Sequence, residues 1–160
     1  MELSELYKLF EQHPTITTDS RDCPAGSIFF ALKGASFDGN KFAAASLEKG
    51  CAYAVIDESE YAVDGDSRFI AVDDCLKTLQ LLARYHRRQL GTPVIGITGT
   101  NGKTTTKELA SAVLGEKYNV LFTQGNFNND IGVPKTLLRL RPEHDIAVVE
   151  MGASHPGDIK

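Results

Sequence analysis

The chain has 160 residues, enough for one domain or two small ones, and its 42% apolar and 24% charged content is that of a globular protein with a packed core. A formal net charge of −4 and a pI near 5.5 exclude a general electrostatic attraction to nucleic acid, so any phosphate binding must be local. No apolar run approaches the roughly 18 residues that would span a bilayer, and the acidic start Met-Glu-Leu-Ser-Glu-Leu lacks the basic region of a signal peptide.

Leu3, Leu6, Leu9 and Phe10 recur at helical spacing, which predicts an amphipathic helix over 2–12 that His13-Pro14 ends. Ile28–Leu32 reads as a strand behind the Pro24-Ala-Gly26 turn. Asp38-Gly-Asn40 reads as a turn, and 41–49 as a helix closed by Gly50. Two further short strands are expected over 52–56 and 68–72, then a long helix from about Asp74 to Leu90. Gly91-Thr-Pro93 breaks that helix and marks the expected domain boundary. Beyond it the pattern predicts a strand over 93–97, a helix from Lys103 or Thr104 to Gly115 and a strand over 119–123. A polar loop over 124–130, a mostly helical 131–140 and a buried strand over 145–150 complete the series. Strands alternating with helices on both sides of the boundary imply an α/β class for both parts. The second part offers three strands, against a typical five or six per sheet, and suggests a piece of a longer chain.

Cys23, Cys51 and Cys75 are odd in number and lack CxxC spacing, which predicts buried, reduced thiols of a cytoplasmic protein. His13, His86, His144 and His155 show no metal spacing, although His155 follows an acidic strand end.

The strongest chemical signal is Thr98-Gly-Thr-Asn-Gly-Lys-Thr-Thr105, a glycine-punctuated turn between a strand and a helix. Backbone N–H groups of Gly99, Thr100, Asn101 and Gly102 can curl around an anion, assisted by the free N–H groups at the helix start. Lys103 would reach the β/γ-phosphates, and the Thr104 hydroxyl would sit on Mg²⁺, with Thr105 in the same turn. The general phosphate-loop pattern places its first glycine four residues before Gly102-Lys103, where this chain has Ile97. Glu150, at the carboxyl end of a parallel strand, lies in the ligand crevice of an open α/β sheet and suits a metal ligand; the alternative is a solvated acid. Asn126, Asn128 and Asn129 could bind a polar substrate or cap a turn. Thr18, Ser20 and Arg21 could likewise hold a diphosphate or pin a turn.

Taken together, these residues resemble a known family. Thr98–Thr105 is similar to the ATP loop of the Mur ligases and folylpolyglutamate synthetases, which form amide bonds through acyl phosphates. Gly102-Lys-Thr-Thr-Thr-Lys-Glu108, Gly125-Asn-Phe-Asn-Asn-Asp-Ile-Gly-Val-Pro134 and Glu150-Met-Gly-Ala-Ser-His-Pro-Gly157 resemble the Mur ligase branch that joins D-alanyl-D-alanine to UDP-N-acetylmuramoyl-tripeptide. Thr18-Asp-Ser-Arg21 with Phe29-Phe-Ala-Leu-Lys-Gly-Ala-Ser-Phe-Asp-Gly39 resembles a uridine-nucleotide domain shared with the neighbouring branch, which adds the third amino acid.

The resemblance implies a small N-terminal α/β UDP-substrate domain, residues 1–90. It is followed by the first part of a P-loop, mostly parallel-sheet ATPase domain, residues 91–160. It assigns Thr18, Ser20, Arg21, Ala35, Ser36 and Phe37 to the UDP-substrate, Gly99–Thr105 to ATP, and Thr104 and Glu150 to Mg²⁺. Lys103 and Glu150 become the catalytic residues, and Asn126, Asn128 and Asn129 line the space between nucleotide and acceptor. It also implies that the family's later metal-binding histidine, carbamylated lysine and third domain lie beyond Lys160, so that these 160 residues alone would not ligate. No nucleic-acid partner or membrane insertion is implied, and a monomer is expected of the full-length enzyme. The alternatives are the third-amino-acid ligase and a non-catalytic nucleotide-binding module.

Overall fold

The computed structural model describes residues 1–152, so His155 and the rest of the 153–157 motif lie outside the described residues. The chain divides into two compact units, Met1–Leu82 and the residues from Ala83 onward, and the division falls inside one helix.

In the first unit, helix α1 (Leu3–Gln12) buries Leu6, Tyr7 and Phe10 on one face, and the Glu2 N–H donates to Glu5 Oε2 at 3.0 Å to close its start. The central sheet contains β1 (Ile16–Thr17), β2 (Ile28–Phe30), β5 (Tyr53–Ile56) and β6 (Phe69–Ala71), all parallel, in the order β1-β2-β5-β6. Parallel strands are covered on both faces, and β2 is buried at every residue, so its continuous Ile-Phe-Phe run has a physical cause. Each fully buried Phe or Ile there contributes roughly 1.5–3 kcal/mol. Helix α2 (Ala43–Glu48) follows a 3₁₀ turn over Gly39–Phe42, so the expected helix over 41–49 begins as a tighter coil.

A feature absent from the sequence reading is a hairpin of β3 (Lys33–Gly34) and β4 (Phe37–Asp38), whose two-residue tip is Ala35-Ser36. Helix α3 (Cys75–Leu90) then carries Leu79 and Leu82, both fully buried.

In the second unit, β7 (Val94–Ile97), β8 (Val120–Phe122) and β9 (Ile146–Glu150) form a parallel sheet in the order β7-β9-β8. Helix α4 (Lys103–Gly115) connects β7 to β8, and α5 (Gly132–Leu137) precedes β9. Leu121, Leu140, Ala147 and Val149 form its core with Leu90, Val94, Val133, Leu137 and Met151 packed around them. Every expected helix and strand is present to within a few residues. Within these elements the differences lie at the ends, which are the least sharply defined part of a helix or strand.

The cysteines are free thiols, and Cys51 and Cys75 are buried as expected, but Cys23 is only half-buried. Burial, and then the Asp57 carboxylate, push the Cys75 thiol up to about 12. The described histidines serve the fold. His13 Nδ1 bonds the Gly26 carbonyl at 2.9 Å, His86 Nε2 the Leu140 carbonyl at 3.0 Å, and His144 Nδ1 accepts from the Arg141 N–H at 2.9 Å.

Candidate functional site

In a parallel sheet the loops after each strand gather at the carboxyl edge, where ligands of open α/β folds bind. In the second unit, three such loops meet. Residues 98–102 leave β7, 123–131 leave β8, and Glu150 ends β9. The register pairs Ile97 with Glu150 directly, and the Met151 N–H donates to the Ile97 carbonyl at 2.9 Å. The position where a general phosphate loop has its first glycine is thus a strand residue here, and the turn proper starts one residue later.

That turn needs two glycines. Gly99 has φ +140° and Gly102, the residue before α4, has φ +76°, both in the region that L side chains rarely adopt. The left-handed Gly102 swings the chain into α4 with the first-turn N–H groups of Lys103, Thr104 and Thr105 lacking partners inside the helix. Gly99, Thr100, Asn101, Gly102 and Thr105 are exposed. Lys103 Nζ donates to the Gly99 carbonyl at 2.6 Å, closing the turn on itself. A phosphate oxygen is a stronger acceptor for that ammonium than a neutral carbonyl.

Glu150 is 1% exposed, which overturns the alternative of a solvated acid. Its Oε1 accepts from Thr104 Oγ1 at 3.1 Å and from Asn128 Nδ2 at 2.8 Å, while its backbone N–H donates to Thr123 Oγ1 at 2.9 Å. Oε2 is buried and, among the described residues, has no hydrogen-bond partner. A buried carboxylate oxygen left unsatisfied is costly, and a cation is the partner that would satisfy it best. Thr104 and Glu150 therefore fit a divalent metal such as Mg²⁺, with the Thr104 hydroxyl already within reach of the carboxylate. Among the described residues no group of three His, Cys, Asp or Glu side chains could hold a metal, so such an ion would take its remaining ligands from phosphate and water.

The three asparagines separate into different roles. Asn128 is drawn in to Glu150, and its carbonyl accepts from the Gly152 N–H at 2.7 Å. Asn129 Oδ1 accepts from the Gly132 N–H at 2.7 Å and the Ile131 N–H at 3.3 Å, which is the turn-capping alternative. Asn126 is exposed, and its carbonyl accepts from the Asn128 N–H at 2.7 Å. Gly132 is fixed by packing, because a Cβ there would lie 2.5 Å from the Phe127 carbonyl carbon.

The sequence reading assigned no role to Lys107. It is fully buried, and its Nζ donates to the carbonyls of Thr123 at 2.8 Å and Gly125 at 3.1 Å and pairs with Glu108 Oε1 at 2.7 Å. Its position one turn after Lys103 on a helix start was the available signal.

In the first unit, Thr18, Ser20 and Arg21 follow β1, and Ala35, Ser36 and Phe37 follow β2. Because β1 and β2 are parallel neighbours, both segments lie at one carboxyl edge. Asp19 takes the Arg21 guanidinium in two contacts, Nε to Oδ1 at 2.9 Å and Nη2 to Oδ2 at 2.8 Å, and Thr17 Oγ1 donates to the Asp22 carbonyl at 2.8 Å. The Asp19 hydrogen bond and charge raise the Arg21 pKa above its ordinary value. The pair pins the turn, while the Arg21 side chain stays 88% exposed. Ser20 is nearly buried, with its carbonyl accepting from Lys49 Nζ at 2.6 Å. Ala35 and Ser36 are exposed, and the exposed Phe37 ring stacks on Phe42 with centroids 5.3 Å apart and planes 7° apart.

The hairpin is held by a buried polar hub. Asn40, 1% exposed, donates to Asp38 Oδ1 and Asp57 Oδ1, each at 2.9 Å, and accepts from the Asp57 N–H at 3.1 Å. Lys33 Nζ bridges Asp57 at 2.9 Å and Glu58 at 2.7 Å, which lifts its pKa above the ordinary lysine value.

Residues 14–87 match the model described as Mur ligase family, catalytic domain, and residues 97–160 match the Mur ligase middle domain. The UDP-N-acetylmuramoyl-tripeptide--D-alanyl-D-alanine ligase of Bacillus subtilis is 46% identical over 144 residues, which is 90% of this chain and 32% of that protein. The enzyme of the same name from Escherichia coli is 42% identical, over 90% of this chain and 31% of its own. Among solved structures, MurF from Acinetobacter baumannii superposes with a TM-score of 0.83 at 42% identity, covering 90% of this chain and 31% of that one. MurF from Thermotoga maritima, in complex with ADP, gives 0.81 at 34% identity, covering 91% and 33%. The chain spans about a third of the length of the curated relatives it matches. With matches to two domains of one family in the expected order, and a shared fold at this level of identity, the chain belongs to the Mur ligase family.

Proposed function

We propose that this chain supplies the substrate and nucleotide sites of a cytoplasmic, ATP-dependent ligase of peptidoglycan precursor synthesis. The ligase adds D-alanyl-D-alanine to UDP-N-acetylmuramoyl-tripeptide through an acyl phosphate. Residues 1–90 are its UDP-substrate domain and residues 91–160 the opening of its ATP-binding domain. The observation that carries this reading is the meeting of Thr104 and Asn128 on one oxygen of the buried Glu150, with the other oxygen unpartnered among the described residues, beside the Gly99–Thr105 turn. The names of the relatives and the ADP held by the Thermotoga maritima protein support it.

In this mechanism the Gly99–Thr105 backbone and the first turn of α4 cradle the nucleotide phosphates. Lys103 leaves the Gly99 carbonyl for a phosphate oxygen and stabilises the charge that develops as the γ-phosphoryl group transfers to the substrate carboxylate. Thr104 and Glu150 would hold Mg²⁺, which would supply charge neutralisation at the phosphates. Asn128 keeps Glu150 oriented. Thr18, Ser20, Arg21 and Ala35–Phe37 bind the UDP-substrate at the edge of the first sheet, with Phe37 offering an apolar ring. Asn126 flanks the acceptor side of the nucleotide, and Asn129 holds the loop behind it through its cap on α5. Catalysis rests on positioning and charge neutralisation, since the amine of D-alanyl-D-alanine displaces phosphate from an already activated carbonyl.

Calorimetry of this chain with Mg·ADP and, separately, with UDP-N-acetylmuramoyl-tripeptide tests the reading. Saturable binding of both, neither displacing the other, is expected. A folded sample that binds neither would refute it.

A further inference from the structure

The most unusual side chain outside the nucleotide turn is Lys107. A lysine with no exposed surface is disfavoured in a small α/β unit, because desolvating an ammonium costs more than an apolar residue of equal size would. All the donor capacity of Lys107 is used. The three protons go to Thr123 O, Gly125 O and Glu108 Oε1 at 2.8, 3.1 and 2.7 Å.

Two of those acceptors bracket the point where β8 ends and the asparagine loop begins. Thr123 is itself fully buried and is held at three atoms. Its carbonyl takes Lys107, its N–H donates to the Val148 carbonyl at 3.1 Å, and its hydroxyl accepts the Glu150 N–H at 2.9 Å. Gly125 has φ +55°, a reversal that sends the chain back toward Asn128, whose amide meets Glu150 Oε1. One ammonium on α4 thus ties together the helix that carries Lys103 and Thr104 and the loop that carries Asn128, at the strand end where Glu150 sits.

We propose that Lys107 is a positioning residue, which sets Asn128 and Thr123 against Glu150 so that the carboxylate presents its free oxygen to a metal bound with nucleotide. Lys107 touches neither substrate nor metal in this scheme and acts through Thr123 and Gly125. The metal part of the inference rests on the nucleotide reading given above, whereas the Asn128 part does not.

The test uses this chain with Lys107→Met, Lys107→Gln and Lys107→Arg. Exchange of the Asn128 side-chain amide protons is followed by NMR, and binding of ADP with and without Mn²⁺ by fluorescence and electron paramagnetic resonance. For Lys107→Met, Asn128 exchange should rise about tenfold and Mn·ADP should bind about tenfold more weakly. Metal-free ADP should change by less than about threefold, since its contacts lie on Gly99–Thr105. Lys107→Arg, which keeps donors for both carbonyls, should restore Mn·ADP binding to within about threefold. Unchanged Asn128 exchange, or equal weakening with and without metal, would overturn the proposal. If Lys107→Met does not melt cooperatively, Lys107→Gln is read by the same two criteria. Should the unaltered chain bind no ADP, the nucleotide reading fails, and Asn128 exchange alone then decides whether Lys107 positions the loop.

Discussion

The Thr104 hydroxyl donates to Glu150 Oε1 at 3.1 Å across a sequence separation of 46 residues. That contact joins the first turn of α4 to the end of β9, and it leaves the second carboxylate oxygen buried without a partner among the described residues. A hydroxyl and a carboxylate placed together beside a glycine turn are arranged for a cation as much as for each other.

Replacing Glu150 with Gln tests this arrangement. The amide oxygen can still accept from Thr104 and Asn128, so the melting temperature should fall little or even rise, as a buried charge is removed. Mn²⁺ affinity in the presence of ADP should drop by about tenfold or more, as expected for a lost charged ligand. Titration by electron paramagnetic resonance measures it, and an unchanged affinity would remove Glu150 from the metal site.

Lys103→Ala removes an ammonium that donates to the carbonyl of Gly99. Folding should therefore change by under about 1 kcal/mol, the range of an exposed hydrogen bond, while ADP affinity should fall about tenfold to a hundredfold. Calorimetric titration and thermal melting on the same sample separate the two effects. Binding of UDP-N-acetylmuramoyl-tripeptide should be retained.

Gly132→Ala should be far more damaging than its size suggests. The added Cβ would meet Phe127 backbone atoms at 2.5 to 2.8 Å, and backbone cannot rotate away as a side chain could. A loss of about 2 kcal/mol or more is expected from such overpacking. Urea unfolding should record it, with Asn128 exchange rising in parallel because the same loop must shift.

Acid stability should report on the hairpin hub. Burial pushes the Asp57 carboxyl upward, but the Lys33 ammonium, the Asn40 amide and the Cys75 N–H pull harder, and the result lies below the ordinary carboxylate value. A carboxylate depressed in the folded state stabilises fully above its unfolded value of about 3.9, and that stability disappears as pH falls through the folded value. Urea midpoints should be flat between about pH 7 and 5 and decline below about pH 4. Asp57→Asn should be less stable at pH 7 and decline less steeply in acid. The difference between the two curves isolates Asp57 from Asp38 and Asp66, which are also depressed, by Asn40 and Arg68 respectively.

Much of the fold was legible because local patterns carried it. The helical spacing of Leu6 and Phe10, the continuous apolar run at Ile28–Phe30 and the break at Gly91-Thr-Pro93 each reflect an interaction within a few residues. The hairpin at Lys33–Asp38 was missed because its anchors are Asp57 and Glu58, far along the chain, and its tip lacks the Asn-Gly or Asp-Gly pair that marks most two-residue hairpins. Cys23 departed from expectation because its neighbours form a surface turn rather than a core.

For the candidate site, the glycine turn with Lys103 and Thr104 stood out in the sequence because a phosphate loop is a contiguous device, and Glu150 stood out as the acid ending a buried strand. Sequence alone left Glu150 between ligand and solvated acid, and the asparagines between substrate contacts and caps. Tertiary structure removed the solvated-acid alternative and gave Asn129 a capping contact, because burial and hydrogen-bond partners depend on which strands pair. The β7-β9-β8 order sets Ile97 beside Glu150 and brings Asn128 over it, while Asn129 turns away to cap α5. Lys107 reads in sequence as one more helix lysine. Only the packing of α4 against the end of β8 makes it a buried cation, since desolvation is a property of the assembled neighbours and not of the residue itself.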